Sequence, residues 1–331
     1  MKALVWNGES FDEKECSNSR YDGLYLLPGL ADTHVHGAFG WDFMSGQGDQ
    51  VIRSLREIGV EYVCLTSVTS PWEELRNAID SVNPDEAGFC GFHLEGPYLN
   101  PKMAGAQPEF FLEPDANQLS AELGDRLDMV RIVSFAPELQ GGTQFARSLF
   151  KWGIVVSAGH TDASFEMLAE CRPNRLTHFL NAMRRFHHRE PGPIDYGLTR
   201  NVDVELIYDR VHFSDEAAEL VVKSKSVLQL IGISDGTQLS GLPDGTDAMI
   251  WGKKVRKTDG SVRLLNGNLA GSGSTLVEVF KNFWRKFGPV VATFACSENP
   301  RRSLGLPEPE MWLCVAKDGT IENIVTGAIQ L

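Results

Sequence analysis

Long apolar runs are missing from this sequence. No stretch is long enough to cross a bilayer as a helix, and the opening MKALVWNGES lacks the apolar core of a secretory leader. The expected location is therefore the cytoplasm. Paired cysteine spacing is missing too. The six cysteines, Cys16, Cys64, Cys90, Cys171, Cys296 and Cys314, form no C-x-x-C, and several stand inside apolar runs. They read as buried free thiols in a reducing compartment rather than as a disulfide framework. Positive charge is scarce, with 31 Lys and Arg against 44 Asp and Glu and a formal net charge of -13. Such a field repels nucleic acid and anionic membranes, so neither is expected as a partner. It also opposes an anionic substrate at long range, so any phosphate site must be a local arrangement of donors. No repeat period and no low-complexity stretch is visible.

What is present is ordinary for a soluble globular chain: 331 residues, 42% apolar and 23% charged. The length fits an α/β barrel with a small appendage. Eight short apolar, β-branched runs read as strands, at 24–30, 62–68, 89–94, 131–136, 154–158, 175–179, 204–208 and 227–233. Amphipathic segments such as 51–58, 72–82, 143–152 and 215–224 lie between them. In the first of these, Val51, Ile52, Leu55 and Ile58 fall at helical spacing, opposite Arg53, Arg56 and Glu57. Strands alternating with helices imply parallel β-α units, and eight such units predict a closed (β/α)8 TIM barrel. Outside the barrel, Asp259-Gly260 marks a hairpin turn within 247–265, and Asp318-Gly319 marks another between 311–316 and 321–325. The expected division is 1–25 as the N-terminal part of a small β domain, 26–246 as the barrel, and 247–270 as a hairpin of the small domain. Helices completing the barrel then occupy 271–308, and 309–331 is the C-terminal part of the small domain.

Six polar residues stand where strands end. His34 and His36 follow the first strand in ADTHVHG, and Glu95 follows the third in FHLEGPY. His160 follows the fifth in VVSAGHTDA, His178 ends the sixth in LTHFLNAM, and Asp235 follows the eighth in IGISDGT. In a barrel the C-terminal strand ends converge on one mouth, where catalysis takes place. Alternate side chains of a strand share a face, so H-x-H aims two imidazoles at one point. A carboxylate and further imidazoles complete a nitrogen and oxygen shell suited to a divalent metal, zinc first and iron second. Such an ion acidifies a water and polarises a carbonyl. A lone H-x-H would be weak, since histidines on strands are often only hydrogen-bonded. Six candidates on five strands at one end are much harder to explain structurally. His93, two residues before Glu95, reads as lying a layer deeper.

The motifs PGLADTHVHG, HLEGPYLNPKMAGAQ, SAGHTDA, THFLNAM, HHREPG and GLPDG…GNLAGSGSTL resemble the N-acetylglucosamine-6-phosphate deacetylase family of the amidohydrolase superfamily. The resemblance runs in order from about residue 27 to about residue 304. It implies a (β/α)8 barrel with a small β-sandwich domain formed from both chain ends, and hydrolysis of the acetamide of an amino-sugar phosphate. It implies Glu95, His160 and His178 as the main metal ligands and His34 and His36 as the pair that holds a second ion, so one or two ions are expected. It implies Asp235 as the general acid/base, which takes a proton from the attacking water and returns it to the departing amine. Asn181 and Ala182 match phosphate-binding positions, and His212 in YDRVHFS matches a substrate-binding histidine. Arg189 matches an arginine that reaches the phosphate of the neighbouring subunit, which implies a homodimer. Gln107 stands where many members have a histidine that holds the substrate carbonyl, and an amide can still donate there. Only 33 residues precede His34, and the C-terminal stretch lacks the usual proline-glycine-alanine-aspartate run, so the small domain is expected to be abbreviated. Three alternatives remain at this point. One is the galactosamine epimer as substrate. Another is an amidohydrolase acting on an N-acyl amino acid or cyclic amide. The last is a non-catalytic sugar-phosphate sensor.

Overall fold

A computed structural model describes residues 1–329 except 266 and 268, so those two positions of the expected hairpin and the last two of the C-terminal segment lie outside the described residues. Eight parallel strands run in sequence order around one sheet: Leu30–Val35, Val60–Thr66, Phe89–Glu95, Val130–Phe135, Val155–Ala158, Arg175–Leu176, Asp203–Leu206 and Leu230–Gly232. Parallel pairing joins each to the next. The first and last meet through a parallel bridge between Val35 and Gly236, which closes the barrel.

The first strand differs from the sequence expectation. Residues 24–30 are not one barrel strand. The chain breaks at Gly29, so Tyr25–Pro28 joins another sheet and Leu30–Val35 enters the barrel. A Cβ on Gly29 would lie 2.7 Å from the Glu61 Cβ, so only glycine passes this corner. His34 therefore lies inside the first barrel strand rather than after it, and Glu95 is the last residue of the third.

The amphipathic segments form the outer layer. Gly48–Arg56 buries Val51, Ile52 and Leu55 and turns Arg53 outward. Asp215–Ser224 starts on Ser214, whose hydroxyl accepts from the Ala217 N–H. Leu276–Phe287 opens with a capping box of Thr275 and Glu278 and buries Leu276, Val279, Phe280, Phe283 and Trp284. The segment after it plugs the barrel floor at the closing seam. There Asn299 donates to the Leu230 carbonyl at 2.8 Å and Ser297 to the Gly29 carbonyl at 2.9 Å.

Both chain ends build the small β domain, a five-stranded sheet ordered Ile321–Thr326, Met311–Val315, Tyr25–Pro28, Lys2–Trp6, Phe11–Glu15. Edge-to-face contacts of Trp6 with Phe294 and of Tyr25 with Trp284, at 5.2 and 5.0 Å, dock it on the barrel. Residues 247–270 were expected in this domain, and the structure corrects that. Asp247–Ile250, Lys253–Thr258, Ser261–Leu264 and Leu269–Ser272 form a separate four-stranded antiparallel sheet. It buries its own small core of Leu239, Ile250, Val255, Val262 and Ala270, and a Gly236–Ser272 bridge ties it to the barrel mouth. Its apolar face thus has a partner at the rim and does not need the distant end-derived sheet. Among the described residues, no helix is long and apolar enough to cross a membrane.

Candidate metal centre

Glu95, His160 and His178 meet at the barrel mouth. The Nε2 atoms of His160 and His178 lie 3.1 and 3.0 Å from the same Glu95 oxygen, and 3.0 Å from each other. His34, His36 and Asp235 form a second group beside them. The Asp235 Oδ1 lies 3.3 Å from His34 Nε2 and 3.2 Å from His36 Nε2. His36 also comes within 3.4 Å of the second Glu95 oxygen, so Glu95 faces both groups. Within each triad one donor atom per residue lies within 4.8 Å of the others.

The ring orientations matter more than the distances. His160 places Nδ1 against the Met103 carbonyl at 2.8 Å, His36 against the Thr66 carbonyl at 3.0 Å, and His34 against the Glu205 carboxylate at 3.1 Å. Each far nitrogen is thereby tied to an acceptor, which leaves the near nitrogen with a lone pair aimed into the site. The His34 Nε2 is buried with no hydrogen-bond partner, although Glu95 and Asp235 lie within charge-pairing range. Two imidazole nitrogens crowding one carboxylate oxygen, with an orphaned third beside them, is a donor set that a divalent cation satisfies. The residues present fit the metal.

The local backbone is built for this convergence. His160, His178 and Asp235 all have positive φ, at 47°, 28° and 47°. Non-glycine residues rarely accept that conformation, and such strain persists where surrounding structure enforces it. Before His160, a Cβ on Gly159 would stand 2.5 Å from the Thr177 Cβ, so glycine lets the fifth and sixth strands approach. Burial would raise the Glu95 carboxyl, but the His34, His160 and His178 rings outweigh it and hold Glu95 well below the usual carboxylate range. Asp235 is likewise lowered against the effect of burial, by His36 and His34. Both remain anionic at neutral pH.

Beneath lies a charged layer that the sequence reading missed. Arg175 and Glu205 are both fully buried and pair at 3.0 Å. The other Glu205 oxygen accepts from the His178 backbone N–H at 3.1 Å and faces His34. His93, lowered to about 3 chiefly by burial, bonds Ser134 at 2.7 Å and the Thr33 carbonyl at 3.2 Å. It supports the layer rather than the mouth. The one available signal was a carboxylate set inside the apolar run DVELIY.

A cavity of about 180 Å³ opens onto these groups. Its lining includes His36, Glu95, Gln107, His160, His178 and Asp235 together with Asn181, Ala182 and His212. His212 pairs with Asp209 at 2.7 Å, and against the effect of burial this raises its pKa. Gln107 lines the cavity, as expected of a substrate contact, and is also bonded to its neighbours. Its amide nitrogen donates to Glu95 at 2.5 Å and its oxygen accepts from the Thr69 N–H at 2.9 Å. Arg189 does not join the cavity and is exposed.

No protein-family model matches the chain. Individual relatives do. Over 322 residues it is 33% identical to the N-acetylglucosamine-6-phosphate deacetylase of Bacillus subtilis strain 168, which covers 89% of this chain and 79% of that protein. The chain belongs to the N-acetylglucosamine-6-phosphate deacetylase family. An N-acetylgalactosamine-6-phosphate deacetylase of Escherichia coli O157:H7 is 32% identical over 305 residues, covering 86% of this chain and 79% of that one. The crystal structure of N-acetylglucosamine-6-phosphate deacetylase from Thermotoga maritima superposes with a TM-score of 0.86 at 27% identity, covering 98% of this chain and 97% of that chain. The barrel of this deacetylase family member is thus the amidohydrolase barrel.

Proposed function

We propose that the protein hydrolyses N-acetylglucosamine 6-phosphate to glucosamine 6-phosphate and acetate, in the cytoplasm and with a bound divalent metal. The observation that carries this reading is that one cavity is lined both by a nitrogen and oxygen donor set and by Asn181, Ala182 and His212. Glu95, His160 and His178 would hold the first ion, and His34 and His36 would offer a second position. Zinc suits this set first and iron second. When bound, the metal supplies Lewis acidity to a water and to the amide carbonyl.

The chain's own residues do the rest. Asp235, kept anionic, accepts a proton from the attacking water as its oxygen adds to the acetyl carbon. It then delivers that proton to the nitrogen as the C–N bond breaks, so the amine leaves neutral and acetic acid remains, which loses its proton to water to give acetate at neutral pH. Gln107 holds Glu95 in place through its amide. Asn181, the Ala182 backbone and His212 receive the sugar phosphate. Arg189, exposed in one protomer, supplies a guanidinium to the phosphate in a homodimer partner's site. Sedimentation should read a dimer, and a fully active monomer refutes that part.

The central test is acetate release with metal content measured on the same sample. Release from N-acetylglucosamine 6-phosphate, much faster than from unphosphorylated N-acetylglucosamine, is expected. No release from this or the galactosamine epimer by metal-loaded protein overturns the reading. Equal rates with and without phosphate favour an amidohydrolase of different specificity.

A further inference from the structure

A second cavity, of about 710 Å³, shares a wall with the site cavity. Its walls include Asp42, Thr69, Ser70, Pro108, Phe110 and Met249. Among the described residues, Trp251 alone lines both this space and the site cavity. The indole stands edge-to-face against His36, with ring centroids 5.2 Å apart. The partition continues through Gln107, which faces the site, and its neighbour Pro108, which faces the space behind. The Lys253 Nζ clamps the hairpin that carries Trp251 to this loop, donating to the Ala106 carbonyl at 2.9 Å.

Trp251 is an unusual occupant of its position. Trp251-Gly252 is the two-residue turn between Asp247–Ile250 and Lys253–Thr258, with Ile250 paired to Lys253. Both turn residues have positive φ, 48° and 75°, the signature of a type I′ hairpin. That geometry favours Asn, Asp or Gly at the first position, and a bulky side chain there is an outlier. The indole N–H is buried with no acceptor, so no hydrogen bond accounts for the residue. A ring set in an unfavourable turn conformation, unpaired, and standing between two cavities is explained by what it blocks.

We propose that Trp251 is the wall that restricts the N-acyl group to acetyl, and that the space behind it is where a longer acyl chain would have to go. This rests on the deacetylase reading above. In that reading the amide lies at the metal end, against His36 and Gln107, while the phosphate lies at Asn181 and His212. The acyl methyl therefore points toward the indole rather than toward the phosphate end. Trp251 sets specificity and carries no proton or bond-making step.

The test compares kcat/KM for the N-acetyl, N-propanoyl and N-butanoyl derivatives of glucosamine 6-phosphate, with metal added. The wild-type protein should reject the chain-extended substrates by roughly 10- to 200-fold for each added methylene. Trp251→Gly suits the turn backbone and opens the wall, so the butanoyl-to-acetyl ratio should rise at least tenfold. Trp251→Phe keeps most of the wall and should give an intermediate ratio. Wild-type turnover of the butanoyl substrate as fast as the acetyl one overturns the proposal. So does an unchanged ratio in Trp251→Gly with acetate release retained, or loss of both activities in a Trp251→Gly protein that melts as the wild type does. If wild-type protein releases no acetate at all, the deacetylase reading fails first and this inference falls with it.

Discussion

Replacing Arg175 with methionine tests the charge layer under the metal site. The guanidinium is fully buried and reaches Glu205 at 3.0 Å, Thr33 at 3.1 Å and Ser303 at 2.6 Å. Methionine has similar reach and no charge, so little cavity forms. The cost comes from Glu205, which loses its one countercharge of fixed sign and with it the partner that holds it against His34 and the His178 N–H. Removing one partner of a buried ion pair costs about 3–5 kcal/mol. At about 2 °C per kcal/mol for a chain of this size, Tm should fall by roughly 6–10 °C. Glu205 also orients His34, and losing such support typically weakens metal binding about 10- to 100-fold. Calorimetry reads the first effect and competition with a chromophoric chelator reads the second. Arg175→Met combined with Glu205→Leu removes both charges. It should recover most of the Tm and none of the metal affinity, because His34 still lacks its anchor. A single variant that melts within about 2 °C of wild type and binds metal equally well would refute the reasoning.

Asp235→Asn should lower kcat by about 10²- to 10⁴-fold with metal content unchanged, and unaltered hydrolysis would remove Asp235 from the mechanism. Stripping the metal with a chelator should abolish activity and lower Tm, and restoring it at a hundredfold excess over Kd should return about 2.7 kcal/mol. Insensitivity of Tm to the chelator, in protein shown to be metal-free, would count against the donor set. Asp32 is buried, and burial raises its carboxyl to about 6, against about 3.9 unfolded. The folded state therefore holds a proton that the unfolded state releases first. That contribution is fully present below pH ~4 and is lost as pH rises through about 6. In metal-stripped protein, Asp32→Asn should gain stability over wild type at pH 8 and not at pH 4. Equal urea midpoints relative to wild type at the two pH values would contradict this.

Much of the barrel could be read from the chain because its signals are local. Apolar runs with polar residues at their ends place His160, His178 and Asp235 at the mouth before any contact is known. The first strand was misread because Leu24 to Leu30 is continuously apolar apart from Pro28-Gly29, and composition does not say that this pair is a corner between two sheets. The 247–270 hairpins were legible as hairpins but not by destination, since a small amphipathic sheet has no sequence mark for the surface it covers. Arg175 and Glu205 were missed for a related reason. Each is a single charge in a strand, and only the closed barrel shows that they face one another. Gln107 was read from the chain as a substrate contact; it lines the cavity, and its bonds to Glu95 and Thr69 had no mark in the sequence.

The seam of the barrel divides the site between the sheet's interior and its two edges. Glu95, His160 and His178 come from strands three, five and six, which lie within one continuous run of the sheet. His34 and His36 sit at its first edge and Asp235 at its last. They face each other because Val35 bridges Gly236 and the Asp235 N–H reaches the His34 carbonyl at 3.0 Å. In the proposed mechanism, a chain whose sheet had formed but not closed would bring Glu95, His160 and His178 together without Asp235 opposite them. Catalytic competence thus reports that the last edge has found the first, and metal content measured alone does not.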